Sequence, residues 1–260
     1  MEYVTSRDGT RIAYQRSGSG PVVVLVASAL ADRRDAKRLA RRLSERFTVV
    51  NYDRRGRGAS GDTSPYEVAC EVADSDALID DAGGSASIFS SSSGAVLALE
   101  AANALGEKVT RLALFEPPFI TDDSRAPLST DDVLEIEQHL AAGRRGDAVK
   151  EFMTRRLGMP TAMVAAMRLL PTWSKLKKLA HTLPYDLELM KDTQSGAPLP
   201  ADRWTSVAAL TLVLTGKRAT RSCTPPAERS LMSCPPPGAP HSAAPTMPPS
   251  SPRRRSSPPY

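Results

Sequence analysis

The feature that most restricts the fold of this chain is an unbroken apolar run of mostly β-branched residues, Val22–Val26 (VVVLV). Such a run is typical of a central strand in a parallel sheet, because other elements cover both faces of that strand. From this run to about residue 116, strand-like segments alternate with helical segments. The alternation predicts an α/β fold in which helical crossovers join mostly parallel strands.

The segments around this strand predict the order of the elements. Two short strands on either side of a turn at residues 7–10 predict an N-terminal hairpin. Further strands are expected at residues 47–52, 86–89 and 109–115, and helices at residues 32–45, 66–82 and 94–105. The basic run at residues 33–42 is interpreted as the solvent-exposed face of the first helix, with Leu39 and Leu43 facing inward.

The pattern changes after residue 116. Four short helices are predicted between there and about residue 206, at residues 131–142, 147–157, 163–170 and 172–181, before a strand returns at residues 209–214. We interpret the helical part as a cap inserted between two strands. The predicted organisation is a core of residues 1–116 and 207–216, a helical cap of residues 117–206 and a tail of residues 217–260.

The predicted tail differs from the rest of the chain in composition and charge. Twelve of the 22 prolines lie in the last 40 residues. Proline lacks the N–H that helices and sheets require, so we predict a disordered tail. The net charge of +5 also resides there, because the other 216 residues have a net charge of −1. A nucleic-acid-binding protein would need a basic face on its folded body, and no nucleic acid partner is expected.

The sequence predicts a cytoplasmic protein with no membrane association. It contains no run of about 18 apolar residues and no basic segment followed by an apolar one at its N-terminus. Three cysteines, Cys70, Cys223 and Cys234, lack the spacing of metal ligands and are interpreted as free thiols of a reducing compartment. No metal and no cofactor are implied.

A serine-rich turn at residues 90–94 (SSSSG) lies between a predicted strand and a predicted helix. This is the place of a nucleophile elbow, a strained turn whose pattern is small-x-Ser-x-small, usually Gly-x-Ser-x-Gly. In that frame Ser92 is the nucleophile, Gly94 is the second small residue and Ser90 replaces the first glycine. A serine-rich loop or helix cap is the alternative interpretation.

Four stretches together resemble the α/β-hydrolase superfamily, and in particular a group of small bacterial serine hydrolases. They are SRDGTRIAYQRSGSGPVVVLV, YDRRGRGASGDT, SSGAVLALEAA and LALFEPPFI. The likeness covers about residues 2–216 and includes cap segments such as AHTLPYD. It implies the α/β-hydrolase fold, a mostly parallel sheet with a helical cap, here with an incomplete C-terminal end. Asp53, in YDRRGRG, is interpreted as a structural carboxylate that pairs with the nearby arginines.

The resemblance also implies partners for Ser92. Two backbone N–H groups would hold the oxyanion, that of Ser93 and one from the loop after Val22–Val26, where Ala29 is the best candidate. The usual position of the acid, after residues 209–214, carries no carboxylate. Some members place the acid one strand earlier, and Glu116 lies there. Either Glu116 orients the catalytic histidine or it is a structural carboxylate.

Three histidines are candidates for the catalytic base. His241 lies 149 residues after Ser92, at a chain distance that suits the family, but its proline-rich surroundings predict no strand to orient it. His181, in the cap, is interpreted as a residue lining the pocket, together with Trp173, although Trp173 could equally belong to the core of the cap. His139 is expected to be solvated.

These observations favour a serine hydrolase that acts on an ester or related acyl small molecule through an acyl-enzyme on Ser92. Two alternatives stay open. One is a catalytically degenerate homologue that binds a small ligand or is inactive, because an out-of-frame reading of a GC-rich gene would produce a tail of this composition. The other is an interaction protein that uses the PPPGAP and RRR segments of the tail.

Overall fold

The computed structural model describes residues 1–123 and 125–216, and these residues form a sheet of seven strands. The strands are β1 (Glu2–Thr5), β2 (Arg11–Ser17), β3 (Val22–Val26), β4 (Thr48–Tyr52), β5 (Ala86–Ser91), β6 (Val109–Phe115) and β7 (Leu210–Leu214). Their spatial order is β1-β2-β4-β3-β5-β6-β7. The strands β1 and β2 form an antiparallel hairpin, β2 pairs antiparallel with β4, and the remaining pairs are parallel. The predicted mostly parallel α/β sheet is confirmed.

Eight α-helices connect the strands within the described residues. They are α1 (Lys37–Leu43), α2 (Val68–Asp81), α3 (Ser93–Leu105), α4 (Thr130–Ala141), α5 (Arg145–Glu151), α6 (Thr161–Met167), α7 (Pro171–Leu179) and α8 (Leu183–Met190). The last five of these helices all lie between β6 and β7.

The apolar run of β3 is buried on both faces, as its composition predicts. Val24 and Val26 belong to the cluster that contains residues of α2 and α3. Val23 and Leu25 belong to a second cluster with Ala40 of α1. Successive side chains of a strand point to opposite faces, so helices on both sides of the sheet require a strand that is apolar throughout.

The helices between β6 and β7 have an apolar core of their own. It includes Ile136, Val149, Trp173 and Leu187, and it is continuous with Val96 of α3. These helices therefore pack above the N-terminal half of α3. The helix α8 was not predicted from the sequence, and Pro184 lies in its first turn, where a proline is compatible with a helix.

The basic run after β3 differs from its prediction. The helix begins at Lys37, five residues later than expected. Arg33 and Arg34 precede it in a turn, where Arg33 binds Asp53 and Arg34 binds Asp32. Arg33 is therefore part of the packed structure and not of a solvent-exposed helical face, because Asp53 is fully buried and requires a cation.

The strand β7 is the last strand of the described sheet and is largely exposed. Leu210, Leu212 and Val213 have relative exposures of 75%, 56% and 42%. Residues 217–260, which include the predicted tail, Cys223, Cys234 and His241, lie outside the described residues. Within the described residues, none of the helices has the length and apolar character needed to span a membrane.

Candidate active site

Ser92 lies at the sharp junction between a strand and a helix. The strand β5 ends at Ser91, α3 begins at Ser93, and Ser92 between them has φ +49° and ψ −129°. A non-glycine residue rarely adopts a positive φ, because its Cβ then crowds the backbone. Its N–H donates to Phe115 O at 3.0 Å, which fixes the turn against the end of β6. This is the geometry that the elbow interpretation predicts for Ser92.

Gly94 allows this turn to pack against β3. A Cβ at this position would lie 2.8 Å from the carbonyl oxygen of Ala27 and 3.0 Å from that of Val26. Backbone atoms cannot move aside as a side chain can, so the position requires glycine. The small residue of the elbow pattern is thus explained by the approach of α3 to the end of β3.

Strained residues cluster at one edge of the sheet. Three non-glycine residues of the described chain have a positive φ: Leu30 at +54°, Ser92 at +49° and Glu116 at +48°. They follow β3, β5 and β6, which are neighbours in the sheet. Residues held in such conformations concentrate at functional sites, where the surrounding structure keeps them in place. The carboxyl edge of these three strands is therefore the candidate active site.

Ala29 and Ser93, the two residues predicted to supply the oxyanion donors, are in direct contact. The Ala29 N–H donates to Ser93 Oγ at 2.9 Å. Ser93 is the first residue of α3, where backbone N–H groups have no partner within the helix. The Ala29 N–H is thus occupied by the Ser93 hydroxyl oxygen, and the predicted role of both N–H groups as oxyanion donors stays a prediction.

Glu116 links the ends of β6 and β7. Its Oε1 accepts from the Gly216 N–H at 3.0 Å, and its own N–H donates to Leu214 O at 2.8 Å. Since Ser91 is paired with Phe115 in the β5–β6 register, Ser92 and Glu116 are the residues that follow a matched pair. Both roles considered for Glu116, orienting acid and structural carboxylate, are compatible with this position.

The predicted base, His241, lies outside the described residues. The two described histidines are engaged away from the elbow. His139, on α4, is hydrogen-bonded to Arg144 Nε at 3.3 Å. His181 Nδ1 lies 3.0 Å from Lys178 O, and the ring lines a cavity of about 450 Å³ with Asp32 and other residues. Ser92 is not among the residues that line this cavity, so the expectation that His181 lines the substrate pocket stays a prediction.

Trp173 belongs to the interior of the cap. It is 6% exposed and lies in the apolar cluster formed by the helices between β6 and β7. Its indole also lines an outward-facing groove with Gly146 and Arg168. Of the two interpretations of Trp173, pocket lining and core of the cap, this burial supports the second.

A buried ionic cluster, which we call the cap network, joins the candidate site to α8. It consists of Arg54, Arg57, Glu71, Ser93 and Asp186, all of which are at most 1% exposed. Arg54 forms two hydrogen bonds of 2.6 Å with the carboxylate of Glu71. Asp186 accepts from Arg54 Nη1 at 2.7 Å, from Arg57 Nη2 at 2.6 Å and from Ser93 Oγ at 2.8 Å. Two arginines and two carboxylates balance each other's charge, as burial requires.

The charges of the cap network depend on one another. Burial opposes ionisation of Asp186, but the guanidinium groups of Arg57 and Arg54 hold the pKa of this carboxyl below its ordinary value. Burial also opposes the charge of Arg54, whose pKa the Glu71 and Asp186 carboxylates nevertheless raise. Burial and the nearby Arg54 lower the pKa of Arg57, against the attraction of Asp186. Asp186 is therefore an ionised acceptor at neutral pH.

A second ionic cluster, which we call the core network, consists of Arg55, the residue after Arg54, with Asp74 and the partly exposed Asp8. Arg55 binds Asp74 of α2 through two hydrogen bonds of 2.7 and 2.9 Å and Asp8 of the β1–β2 turn at 2.8 Å. The sequence suggested that the arginines of this loop pair with Asp53. In the structure they bind other carboxylates. Asp53 binds Arg33 and accepts from the Ala59 N–H at 2.8 Å, which supports its structural interpretation.

Sequence reasoning did not single out Asp186, Glu71 or the separate partners of the three arginines. The signal was present in the motif YDRRGRG, because three arginines beside a buried strand must have carboxylate partners. The pattern does not say which of the chain's 29 acidic residues provide them.

Three comparisons place the chain among known proteins. A family model described as "Alpha/beta hydrolase family" matches residues 22–251. A solved α/β hydrolase of Sphaerobacter thermophilus DSM 20745 is 50% identical, with a TM-score of 0.78 over 84% of this chain and 83% of that chain. An uncharacterized hydrolase of Bacillus subtilis (strain 168), YraK, is 28% identical over 202 residues, 74% of this chain and 73% of its own length.

A more distant likeness concerns the fold alone. The bottromycin epimerase BotH, solved in complex with bottromycin A2, is 24% identical, with a TM-score of 0.54 over 83% of this chain and 89% of that chain. That protein is named an epimerase and not a hydrolase, so the fold by itself does not determine the reaction.

Proposed function

Because the chain belongs to the alpha/beta hydrolase family, we propose that it is a serine hydrolase that cleaves an ester or related acyl small molecule. The observation that carries the proposal is the position of Ser92 between β5 and α3 with φ +49°, in line with two further strained residues on neighbouring strands. Such a turn exposes a hydroxyl above the carboxyl edge of the sheet and presents it to the N-terminus of a helix.

The proposed reaction begins with attack of Ser92 Oγ on the acyl carbon of the substrate. The hydroxyl proton passes to a general base, for which His241 remains our candidate, with Glu116 orienting it. The N–H groups of Ser93 and Ala29 hold the oxyanion. The leaving alcohol takes the proton from the base as the acyl-enzyme forms. Water then attacks the acyl-enzyme and releases the acid and Ser92.

The other parts of the proposal concern the setting of the protein. We propose a small-molecule substrate, no nucleic acid partner and a cytoplasmic location. The location rests on cysteine usage, since Cys70 is a free thiol in the described residues. A catalytically degenerate homologue is the second candidate, because both described histidines are engaged away from Ser92.

The test is the intact mass of the full chain before and after reaction with a fluorophosphonate, an electrophile that phosphonylates activated serines. We expect one added phosphonyl group in the wild type, none in Ser92→Ala, and wild-type labelling in the matched control Ser91→Ala. A folded wild type that takes up no label would contradict the proposed activity and favour the degenerate homologue.

A further variant separates the two roles of Glu116. In Glu116→Gln the amide oxygen can still accept from the Gly216 N–H, so the link between β6 and β7 is kept while the charge is lost. Labelling slower by about 100-fold or more would support an orienting acid. Labelling at the wild-type rate would assign Glu116 a structural role and leave the Ser92 proposal intact.

A further inference from the structure

The loop that follows β3 is held from outside by three side chains. This oxyanion loop, residues 27–31, contains the Ala29 N–H. Arg54 Nη1 donates to Ala27 O at 3.2 Å, and Arg57 Nη1 donates to Ser28 O at 2.6 Å and to Ala31 O at 3.3 Å. The Ala29 N–H itself is bound by Ser93 Oγ. In all, four backbone groups of five consecutive residues are held by Arg54, Arg57 and Ser93.

All three of these side chains also donate to one carboxylate, that of Asp186. Its two oxygens accept three hydrogen bonds, two from guanidinium groups and one from a hydroxyl. Each of the three donor side chains is also hydrogen-bonded to the backbone of the oxyanion loop. The Ser93 hydroxyl is oriented by this arrangement, since its proton points to Asp186 and its lone pair faces the Ala29 N–H. Asp186 thus determines where the three anchors of the loop lie.

Asp186 lies on α8, in the helical segment between β6 and β7, whereas the oxyanion loop directly follows the central strand β3. The start of α8 is also fixed by the neighbouring Tyr185, whose ring stacks on that of Tyr66 with centroids 3.9 Å apart. The Tyr185 hydroxyl donates to Asp62 at 2.9 Å. Tyr185 therefore fixes the helix that carries Asp186 to the segment after β4 that contains Asp62 and Tyr66.

We propose that Asp186 is a positioning residue for the acyl transfer proposed above, on which this inference rests. Through Arg54, Arg57 and Ser93 it fixes the backbone of the oxyanion loop, and with it the Ala29 N–H, against Ser93, the residue that follows Ser92. An asparagine at this position offers one acceptor oxygen, and its NH₂ group would face a donor. Arg57 would then lose its carboxylate partner, and its Nε already has no partner among the described residues. The loop would move although no group that touches the substrate has changed.

The test compares two buried aspartates in the full-length protein. Asp186→Asn removes the negative charge and one of the two acceptor oxygens. Asp74→Asn is the matched control, because Asp74 is about as buried and binds Arg55 but has no link to the oxyanion loop. For each variant, the rate of fluorophosphonate labelling is measured against probe concentration, which separates the maximal rate from the half-saturating concentration. Circular dichroism shows which variants are folded.

We expect Asp186→Asn to lower the maximal labelling rate by about 10-fold or more, with an almost unchanged half-saturating concentration, because the loop acts on the reacting oxygen and not on probe binding. The maximal labelling rate of Asp74→Asn should stay within about 3-fold of that of the wild type, because this substitution affects the stability of the protein and not the oxyanion loop. Equal rates in Asp186→Asn and the wild type, or an equal decrease in both variants, would overturn the inference. An unlabelled wild type would overturn the proposed function, and this inference with it.

A second pair of variants applies where Asp186→Asn does not fold. Arg57→Lys removes the forked contact with Ser28, Ala31 and Asp186, which a single ammonium cannot reproduce. Arg55→Lys is its control on the same loop. A lower maximal rate confined to Arg57→Lys supports the inference. Equal rates in these two variants contradict it, and so does failure of both Asp186→Asn and Arg57→Lys to fold while their controls fold.

Discussion

The cap network and the core network begin at adjacent arginines of one loop and differ in how their charges are balanced. In the core network one arginine, Arg55, faces two carboxylates, and Asp8 is 28% exposed to solvent. In the cap network two arginines face two carboxylates, and all four groups are buried. Loss of one carboxylate leaves the core network with a partner for its arginine, but leaves the cap network with an excess positive charge. Neighbouring arginines of one loop thus differ in how strongly they depend on a single carboxylate partner.

The networks also differ in what they connect. The core network joins the β1–β2 turn to α2, two elements of the sheet layer. The cap network joins α8 to the oxyanion loop and to the first residue of α3, which follows Ser92. Buried ion pairs are weak evidence for stability, because their desolvation offsets much of their attraction. We therefore expect the intact cap network to add little net stability, whereas removal of one of its carboxylates leaves an unpaired buried charge and is costly.

The largest expected effect on stability separates the two networks directly. Asp186→Ala should lower the free energy of unfolding by about 3–5 kcal/mol, because it leaves Arg57 buried without a carboxylate. Asp74→Ala should cost less, about 1–3 kcal/mol, because Arg55 keeps Asp8 and the carbonyl of Cys70. Urea unfolding at pH 7 measures both. A cost for Asp74→Ala equal to or above that of Asp186→Ala would contradict the difference in charge balance.

A second variant moves the oxyanion loop without changing a charge. Gly94→Ala places a Cβ 2.8 Å from Ala27 O, so α3 and the loop must separate. We expect a loss of up to about 3 kcal/mol and much slower labelling. Gly146→Ala is the matched control at the start of α5, where the nearest atom lies 3.5 Å away, and it should be neutral or slightly stabilising. Wild-type labelling by Gly94→Ala would show that the loop position does not control the reaction.

A third pair measures the hydroxyl that links Asp186 to the loop. Ser93→Ala removes a hydrogen bond to a buried carboxylate and should cost about 1.5–3 kcal/mol. Ser75→Ala, at an equally buried position, removes a bond of 3.1 Å to the Glu71 carbonyl and should cost about 1 kcal/mol. Thermal or urea unfolding compares the two. Equal costs would indicate that Asp186 depends on its arginines alone.

The smallest effect concerns pH. The folded pKa of Asp186 is lowered by Arg57 and Arg54 against the effect of burial, so its carboxylate stabilises the fold above the unfolded pKa of about 3.9. That contribution is lost as the pH falls from about 4 through the folded pKa. The difference in the free energy of unfolding between the wild type and Asp186→Asn should therefore be constant from pH 7 to 5 and shrink below pH 4. A difference that stays constant to pH 3 would contradict this.

Local patterns in the sequence determined the sheet and the elbow. The strand Val22–Val26 and the junction at Ser92 could be predicted because each depends on neighbours in the chain: an apolar run covered on both faces, and a small residue two positions after the serine. The positive φ of Ser92 follows from the same local pattern. Helix ends were less accurate, as at Lys37, because Asp53 holds the preceding residues in a turn.

Only the tertiary structure decided the partners of the charged residues. The sequence does not distinguish Arg54, Arg55 and Arg57. The carboxylates that they bind lie between 17 and 132 positions away along the chain. The sequence likewise allows Trp173 to be a pocket residue or a core residue, and only the packing of the helices between β6 and β7 places it in their apolar cluster. The physical reason is that a buried charge must be paired, whereas which group pairs with it depends on how distant elements pack. The sequence alone determined that these arginines need partners, and the fold determined that Asp186 is one of them.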